Sequence, residues 1–520
     1  MISVKSPSEY LTALFRRLSS ETKLAFLSTF ISGFLCHLYI FTNSMYNNDD
    51  IRYLYVTFDK PELGRWLQTY AAGISSYFSL PVVNGILGLF WLSLASMVLV
   101  KIFDMKNRLF IAMTGALLAV FPSVATIYSY MFAADPFFLS CLLSILAAYL
   151  VTRNGRKYVW IGGAALLCCS VGIYQAYLPF TLLLMLLYFM LMLLQPAKYD
   201  DKTVISAIPR YLIMLACGMG AYYVFMQLTL HLKHITLSDY QGIGESTFPG
   251  ISEIRGRILR TFTDFYEFFK PSQVLTFNRW MQAAVIICLI LLTVFFFTLY
   301  GKNRVCKSWL RNLLLILCIV CIPICTNVIY LISDGVTYHM LMRHAWCLLF
   351  MAVLIFCEST APLLRINTAK LLEWGAALAA LVIIWNYILL NNIAYFNMNF
   401  RYEKTYALCL KIVDRLEQQE DYDIDRPIAF IGRYSKTYKM EACKDLLEPM
   451  TGMKDSRVFM GTSRAYLPFM QNCLGENITI AAPEQEEAIR ASEEFQSMPR
   501  FPHDGSIRVI NDITVVKLND

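Results

Sequence analysis

The sequence predicts a polytopic α-helical membrane protein of about eleven spans, carrying a small C-terminal α/β domain, and three observations lead there. Of the 520 residues, 57% are apolar and only 16% charged, with a mean hydropathy of +0.49, whereas soluble chains carry about 25% Asp, Glu, Lys and Arg. Nearly charge-free runs of the length that crosses a bilayer, about 18 residues or more, recur from Leu24 to Leu390. The charge is also divided unevenly: residues 1–391 hold 29 Lys and Arg against 18 Asp and Glu, and residues 392–520 hold 16 against 20. Because the basic surplus lies in short clusters between apolar runs, it reflects loop topology rather than a nucleic-acid surface. Soluble-enzyme readings and nucleic-acid partners are excluded.

The first 23 residues are polar and basic and lead into residues 24–42 without a small-residue cleavage site, so this stretch reads as a retained first span. Further apolar stretches fall at 81–100, 109–128, 136–152, 158–174, 177–195, 211–230, 281–300, 312–332, 344–360 and 371–391. The fifth and sixth are short and separated only by Gln175 and Ala176, which fits either a tight hairpin or a re-entrant pair. Basic clusters occupy every second connection: Lys5, Arg16, Arg17 and Lys23; Lys101, Lys106 and Arg108; Arg153, Arg156 and Lys157; Lys198, Lys202 and Arg210; Lys302, Arg304, Lys307 and Arg311; Arg365 and Lys370. That side is cytoplasmic by the positive-inside rule. The opposite connections at 129–135 and 174–176 contain no Lys or Arg, and an odd number of spans places residues 392–520 outside. Twelve of the 15 cysteines precede residue 391, mostly within apolar segments, where they act as small hydrophobes. Cys318 and Cys321 form a CxxC without a charged or His neighbour, so neither metal nor redox chemistry is expected there.

Three outer segments, 43–80, 231–280 and 392–520, are too long to be turns. Residues 67–80 are too amphipathic for a span and read as folding back at the interface, roofing a shallow cavity beneath the preceding acids. Residues 254–271 carry aromatic and basic side chains at helical spacing, as an interfacial helix does. The tail alternates helical patterns at 402–418 and 483–496 with short β runs at 428–431, 458–460, 478–481, 508–510 and 514–518.

The chemistry is sought on the outer face. Asn47-Asn48-Asp49-Asp50 follows the first span, with Gly64-Arg65-Trp66 shortly after. Two adjacent carboxylates repel, so one keeps a raised pKa and can act as general base while its neighbour is held ionised by a cation or by hydrogen bonds; the plainer reading is a solvated loop. Asp135, between two apolar spans, is costly unless paired and is a candidate site acid, although Asp before Pro136 also suits a helix start. Tyr338, His339, Arg343 and His344 share one outer loop, and the Arg343 fork suits a phosphate, unless it only anchors the span beside it. Tyr174, Gln175 and Tyr177 are pocket candidates or simply interfacial belt residues. No phosphate-binding glycine loop and no GxSxG with plausible partners is present, so nucleotide-driven chemistry is not expected.

Taken together, the outer Asp-Asp pair, Gly-Arg-Trp, Ala-Ala-Asp-Pro at 133–136, Tyr-Gln-Ala-Tyr-Leu-Pro at 174–179, the Tyr-His and Arg-His of the 338–344 loop, Pro-Ile-Ala-Phe-Ile-Gly at 427–432 and Gly-Ser-Ile at 505–507 resemble the GtrII-type O-antigen glucosyltransferases. That family is similar to the GT-C class of membrane glycosyltransferases. The resemblance implies a polyprenyl-phosphate-linked hexose donor, undecaprenyl-phosphate-glucose, a cell-surface glycan acceptor, and action on the extracytoplasmic face of a bacterial cytoplasmic membrane; direct displacement of the lipid phosphate predicts inversion at the anomeric carbon. It implies Asp49 or Asp50 as base and, more loosely, Asp135 as a further site acid, Arg65, Tyr338, His339 and Arg343 at the donor phosphate, and Trp66, Tyr174, Gln175 and Tyr177 about the pocket. No cofactor is required; a divalent cation, Mg or Mn, would sit at Asp49 or Asp50. The competing reading is a flippase or transporter of lipid-linked sugars, whose ionisable residues would gather near the bilayer midplane.

Overall fold

A computed structural model describes residues 6–153, 158–240, 251–270, 278–333, 335–434, 447, 449–453 and 463–518. After an amphipathic helix α1 (Pro7–Arg17), the membrane part runs α2 (Ser20–Thr42), the short α3 (Asn48–Arg52) and α4 (Gln68–Ala72), then α5 (Pro81–Phe103), α6 (Arg108–Val120), α7 (Pro122–Tyr128) and α8 (Met131–Arg153). It continues through α9 (Val159–Ile173), α10 (Leu178–Leu194), α11 (Asp201–Lys233), α12 (Ile251–Phe268), α13 (Arg279–Lys302), α14 (Trp309–Thr326), α15 (Ile329–Ile332), α16 (Cys347–Thr360) and α17 (Ile366–Glu417).

All eleven apolar stretches are helical, but they are not eleven equal spans. Among the described residues nine helices are long and apolar enough to cross a membrane, and the pair α6–α7 adds a tenth if its 41° bend lies within one span. Pro122 marks that break, since a proline cannot donate the i→i−4 hydrogen bond that would carry the helix through it. The remaining stretch, α9, has 15 residues, about 22 Å at 1.5 Å per residue, short of a hydrocarbon core of about 30 Å.

Helix contacts within the bundle rely on small residues and internal hydroxyls, as expected where lipid removes the hydrophobic drive between helices. Gly88 of α5 lies against Phe138 and Tyr128. Ser140 donates to the Ser170 carbonyl at 2.8 Å, and Ser144 and Thr181 pair through their hydroxyls at 2.7 Å, fastening α8 to α9 and α10. Connections alternate between two ends. One end encloses a cavity of about 380 Å³ between residues 103–105, 195–198, 299–303 and 355–363. The other encloses a cavity of about 430 Å³ lined by residues from 49–65, 127–137, 174, 238–240, 339–342 and 451.

The tail is joined to the bundle by α17, which runs unbroken through the 391/392 division for 52 residues. A three-stranded sheet follows in the order β1-β3-β2, with β1 (Ile428–Ile431) parallel and β2 (Ile507–Ile510) antiparallel to β3 (Ile513–Lys517). The run at 478–481 contributes a single bridge from Ile480 to Ile428 rather than a strand. The pattern at 483–496 forms two short helices, Pro483–Ala491 and Glu493–Ser497. The β run at 458–460 lies outside the described residues, as do Lys5, Arg156 and Lys157. The tail meets the 43–80 segment directly: Ile51 packs among Leu408, Ile412 and Phe469, and the Asn472 amide donates to the Ile51 carbonyl at 3.1 Å.

Candidate active site

The 430 Å³ cavity gathers the chemistry. Asn47 caps α3, its Oδ1 accepting from the backbone N–H of Asp49 at 2.9 Å and of Asp50 at 2.7 Å, while its amide donates to the Ser129 carbonyl. This clamp points the two carboxylates in different directions. Asp49 opens onto the cavity, where loss of water to the walls raises its pKa against the pull of Arg52. Asp50 is 1% exposed: its Oδ1 accepts from the Ser79 hydroxyl at 2.5 Å and from the Phe132 N–H at 3.3 Å, capping the start of α8. Burial pushes its pKa to about 7, hydrogen bonds from Ser79, Phe132 and Met131 oppose the rise, and the neighbouring Asp49 charge adds to it.

Arg65 enters from the facing wall. Gly64, at φ +74°, turns the chain, and a Cβ there would come within 2.6 Å of the Tyr222 hydroxyl and 2.8 Å of the Gln175 amide. Gln175 donates to the Leu63 carbonyl at 2.8 Å, and Tyr222 to the Gly64 carbonyl at 3.1 Å. The turn is thereby pinned, and the Arg65 guanidinium carbon lies 4.8 Å from the Tyr174 ring centroid and 5.6 Å from that of Phe137. Those two rings stack at 3.9 Å and 4°. Arg65 has no carboxylate partner among the described residues, and its Nε is buried without a hydrogen bond. Lys60, by contrast, is paired with Glu62 at 3.2 Å. Tyr53, Phe58, Tyr130, Phe132 and Tyr240 complete an aromatic lining.

Of the other expected residues, His339 lines the cavity and Tyr174 forms its floor with Phe137. Gln175 and Trp66 stand behind the wall; Trp66 stacks on Phe225 at 5.1 Å and packs over Gly172. Tyr177 is interior, its hydroxyl 3.3 Å from His344 Nδ1. Asp135 does not reach the cavity and does not cap α8, which begins four residues earlier; its Oδ1 accepts from Asn84 at 2.8 Å and its buried Oδ2 has no hydrogen-bond partner among the described residues. Arg343 is likewise absent from the lining. Its fork is closed on Asp264 of α12 by two 2.7 Å hydrogen bonds, with Tyr338 O accepting behind it at 3.1 Å. Tyr338 donates to the Thr326 carbonyl at 2.9 Å and holds the loop. Asp264 lies in the amphipathic 251–268 helix, but nothing in the sequence pairs it with Arg343, and Thr451, which lines the cavity from the tail, gave no sequence signal either. Among the described residues no three His, Cys, Asp or Glu side chains gather into a set that could hold a metal.

The sequence model of the family described as Glucosyl transferase GtrII matches residues 38–358. The chain belongs to the GtrII glucosyltransferase family. The matched region runs from the end of α2 to α16 and contains every cavity residue except Thr451. Membership and the apolar helices together make the chain a multi-pass membrane glycosyltransferase. No curated protein and no solved structure matches it significantly.

Proposed function

We propose that the protein moves glucose from a polyprenyl-phosphate carrier to a cell-surface glycan, on the extracytoplasmic face of a bacterial cytoplasmic membrane. One observation carries the reading: two carboxylates, Asp49 and Glu62, line an aromatic cavity at one end of the bundle, and while Glu62 is paired with Lys60, Asp49 and Arg65 open into it with no ion-pair partner among the described residues. In the step proposed, an acceptor hydroxyl oxygen bonds to the anomeric carbon as its proton passes to Asp49. The bond from that carbon to the phosphate oxygen breaks, and the electron pair leaves with the lipid phosphate, whose charge Arg65 receives. Attack opposite the leaving group inverts the anomeric centre. His339 adds a polar contact, and the rings of Phe137 and Tyr174 suit a sugar face. Asp50 fixes α3 to α8, and Asp135 and Arg343 hold the scaffold around the site.

The orientation rests on the basic connections, which fall at the end away from this cavity. Mg or Mn dependence, with Asp49 as the available carboxylate, is read by comparing turnover with and without a chelator. A transporter would be expected to collect its ionisable groups at the midplane, whereas the cavity's carboxylates and cations belong to connecting segments at one end. The deciding experiment incubates purified protein in lipid nanodiscs with radiolabelled polyprenyl-phosphate-glucose and envelope polysaccharide. Label should pass to the polysaccharide; donor left intact, or moved across a bilayer unchanged, would sink the reading.

A further inference from the structure

The tail sends a piece of itself into the membrane part. Leu447, Met450 and Met453 are buried at 2%, 0% and 0% exposure, within the apolar core formed by the bundle rather than with the sheet. Residues 449–453 make a tight turn, in which the Met453 N–H donates to the Met450 carbonyl at 3.0 Å. Two residues of α17 hold it from behind: Asn397 donates to the Met453 carbonyl at 2.7 Å, and Arg401 to the Gly452 carbonyl at 2.5 Å. In front, Ser129 donates to the Thr451 carbonyl at 3.4 Å. Gly452, at φ +80°, comes so close that a Cβ would collide with Ser129 and press on Tyr130 and the Asn47 amide. Thr451 then lines the cavity.

We propose that residues 449–453 form part of the acceptor subsite, with Thr451 a specificity-determining residue for the glycan that receives the sugar. The inference rests on the transfer reaction proposed above. In an in-line displacement the incoming oxygen and the departing phosphate lie on opposite sides of the anomeric carbon, so Arg65 marks the donor side and Asp49 the acceptor side. The turn touches the Asp49 side: its neighbours are Asn47, which caps the helix bearing Asp49, and Ser129 and Tyr130 beside it. Arg65 instead sits over Phe137 and Tyr174. The family match ends at residue 358. A wall supplied from beyond it lets the acceptor contact change while the donor machinery stays the same.

The test compares wild type with Thr451→Trp, which fills the wall, and with Thr451→Val, which keeps the shape and removes the hydroxyl. Two rates are measured on each purified protein, using radiolabelled polyprenyl-phosphate-glucose as donor. One is transfer to envelope polysaccharide extracted from the cells that carry the protein; the other is release of free sugar to water. The ratio of transfer to hydrolysis should fall at least about tenfold in Thr451→Trp, with a higher acceptor KM in Thr451→Val, as expected when a binding wall loses its fit. Equal losses in both rates, or unchanged ratios in both variants, would overturn the proposal. Should Thr451→Trp fail to fold, the acceptor KM of Thr451→Val decides alone. A wild type that consumes no donor refutes the underlying reaction instead, so the two failures are distinguishable.

Discussion

At the scale of single residues, Asp49 and Asp50 are adjacent in the chain yet differ in surroundings, and that difference makes opposite forecasts. Asp49→Asn removes the only carboxylate of the pair that faces the cavity and should lower turnover on the order of 100-fold or more, as loss of a general base does. Because loss of water to the cavity walls raises the Asp49 pKa, wild-type turnover should decline as pH falls toward that raised value, above the ordinary aspartate value of about 3.9. The residual activity of Asp49→Asn should lack this acid limb. Asp50 concerns stability. Its folded-state pKa of about 7 exceeds the unfolded one, so the folded chain holds a proton that the unfolded chain releases. The stability this proton contributes is complete below about pH 4 and is lost as pH rises through the folded value. Asp50→Asn keeps an oxygen to accept from Ser79 and Phe132 and carries no charge. Its melting temperature should therefore exceed that of wild type at about pH 8 and converge with it toward pH 4, with turnover largely retained; a variant as inactive as Asp49→Asn would make Asp50 the base.

At the scale of elements, the site depends on two fixtures that hold loops against helices. The Gly64 turn aims Arg65, and Gly64→Ala would force a positive φ on alanine and push against Tyr222 and Gln175. Donor KM should rise and turnover drop by about tenfold or more, while Arg65→Ala loses about 100-fold and Arg65→Lys recovers only part, since Lys keeps the charge without the fork. The second fixture joins α12 to the 338–344 loop through Asp264 and Arg343, whose side chains are 19% and 10% exposed. Removing one partner leaves the other charge stranded, a loss of about 3 to 5 kcal/mol for a buried pair. Arg343→Ala and Asp264→Ala should each reduce folded yield, and Arg343→Ala/Asp264→Ala together should cost less than the sum, with activity per folded molecule near that of wild type. A selective loss of donor affinity in Arg343→Ala would return that residue to the phosphate. The sequence made all eleven apolar stretches, the Asp pair and the Gly-Arg-Trp turn legible because each is local. It did not distinguish Arg343 as a strut from Arg343 as a ligand, because an exposed-looking Arg and an acid 79 residues away become partners only once α12 lies against α14 and α15.

At the scale of the whole molecule, the tail cannot be treated as an appendage. Its small sheet could be read from alternating apolar residues, but its contribution to the cavity could not: Thr451 is polar, lies in no periodic segment, and reaches Ser129 across a separation of 322 residues. The same packing makes a topological forecast stronger than charge counting alone. Ile51 lies within the tail's apolar cluster and Asn472 donates to its carbonyl, so the 43–80 segment and the tail must occupy the same side of the membrane whichever side that is. The basic connections add the second half of the argument, because Lys302 and its neighbours follow the end of a span that leads away from the cavity. In a background without exposed native cysteines, Tyr55→Cys and Asp504→Cys, both at exposed positions, should react together with a membrane-impermeant maleimide applied to intact cells stripped of any outer barrier. Lys302→Cys should react only after permeabilisation. Labelling of one of the first pair without the other would break the tail from the site and remove the acceptor wall with it; labelling of both only after permeabilisation would leave the packing intact and reverse the face on which the transfer takes place.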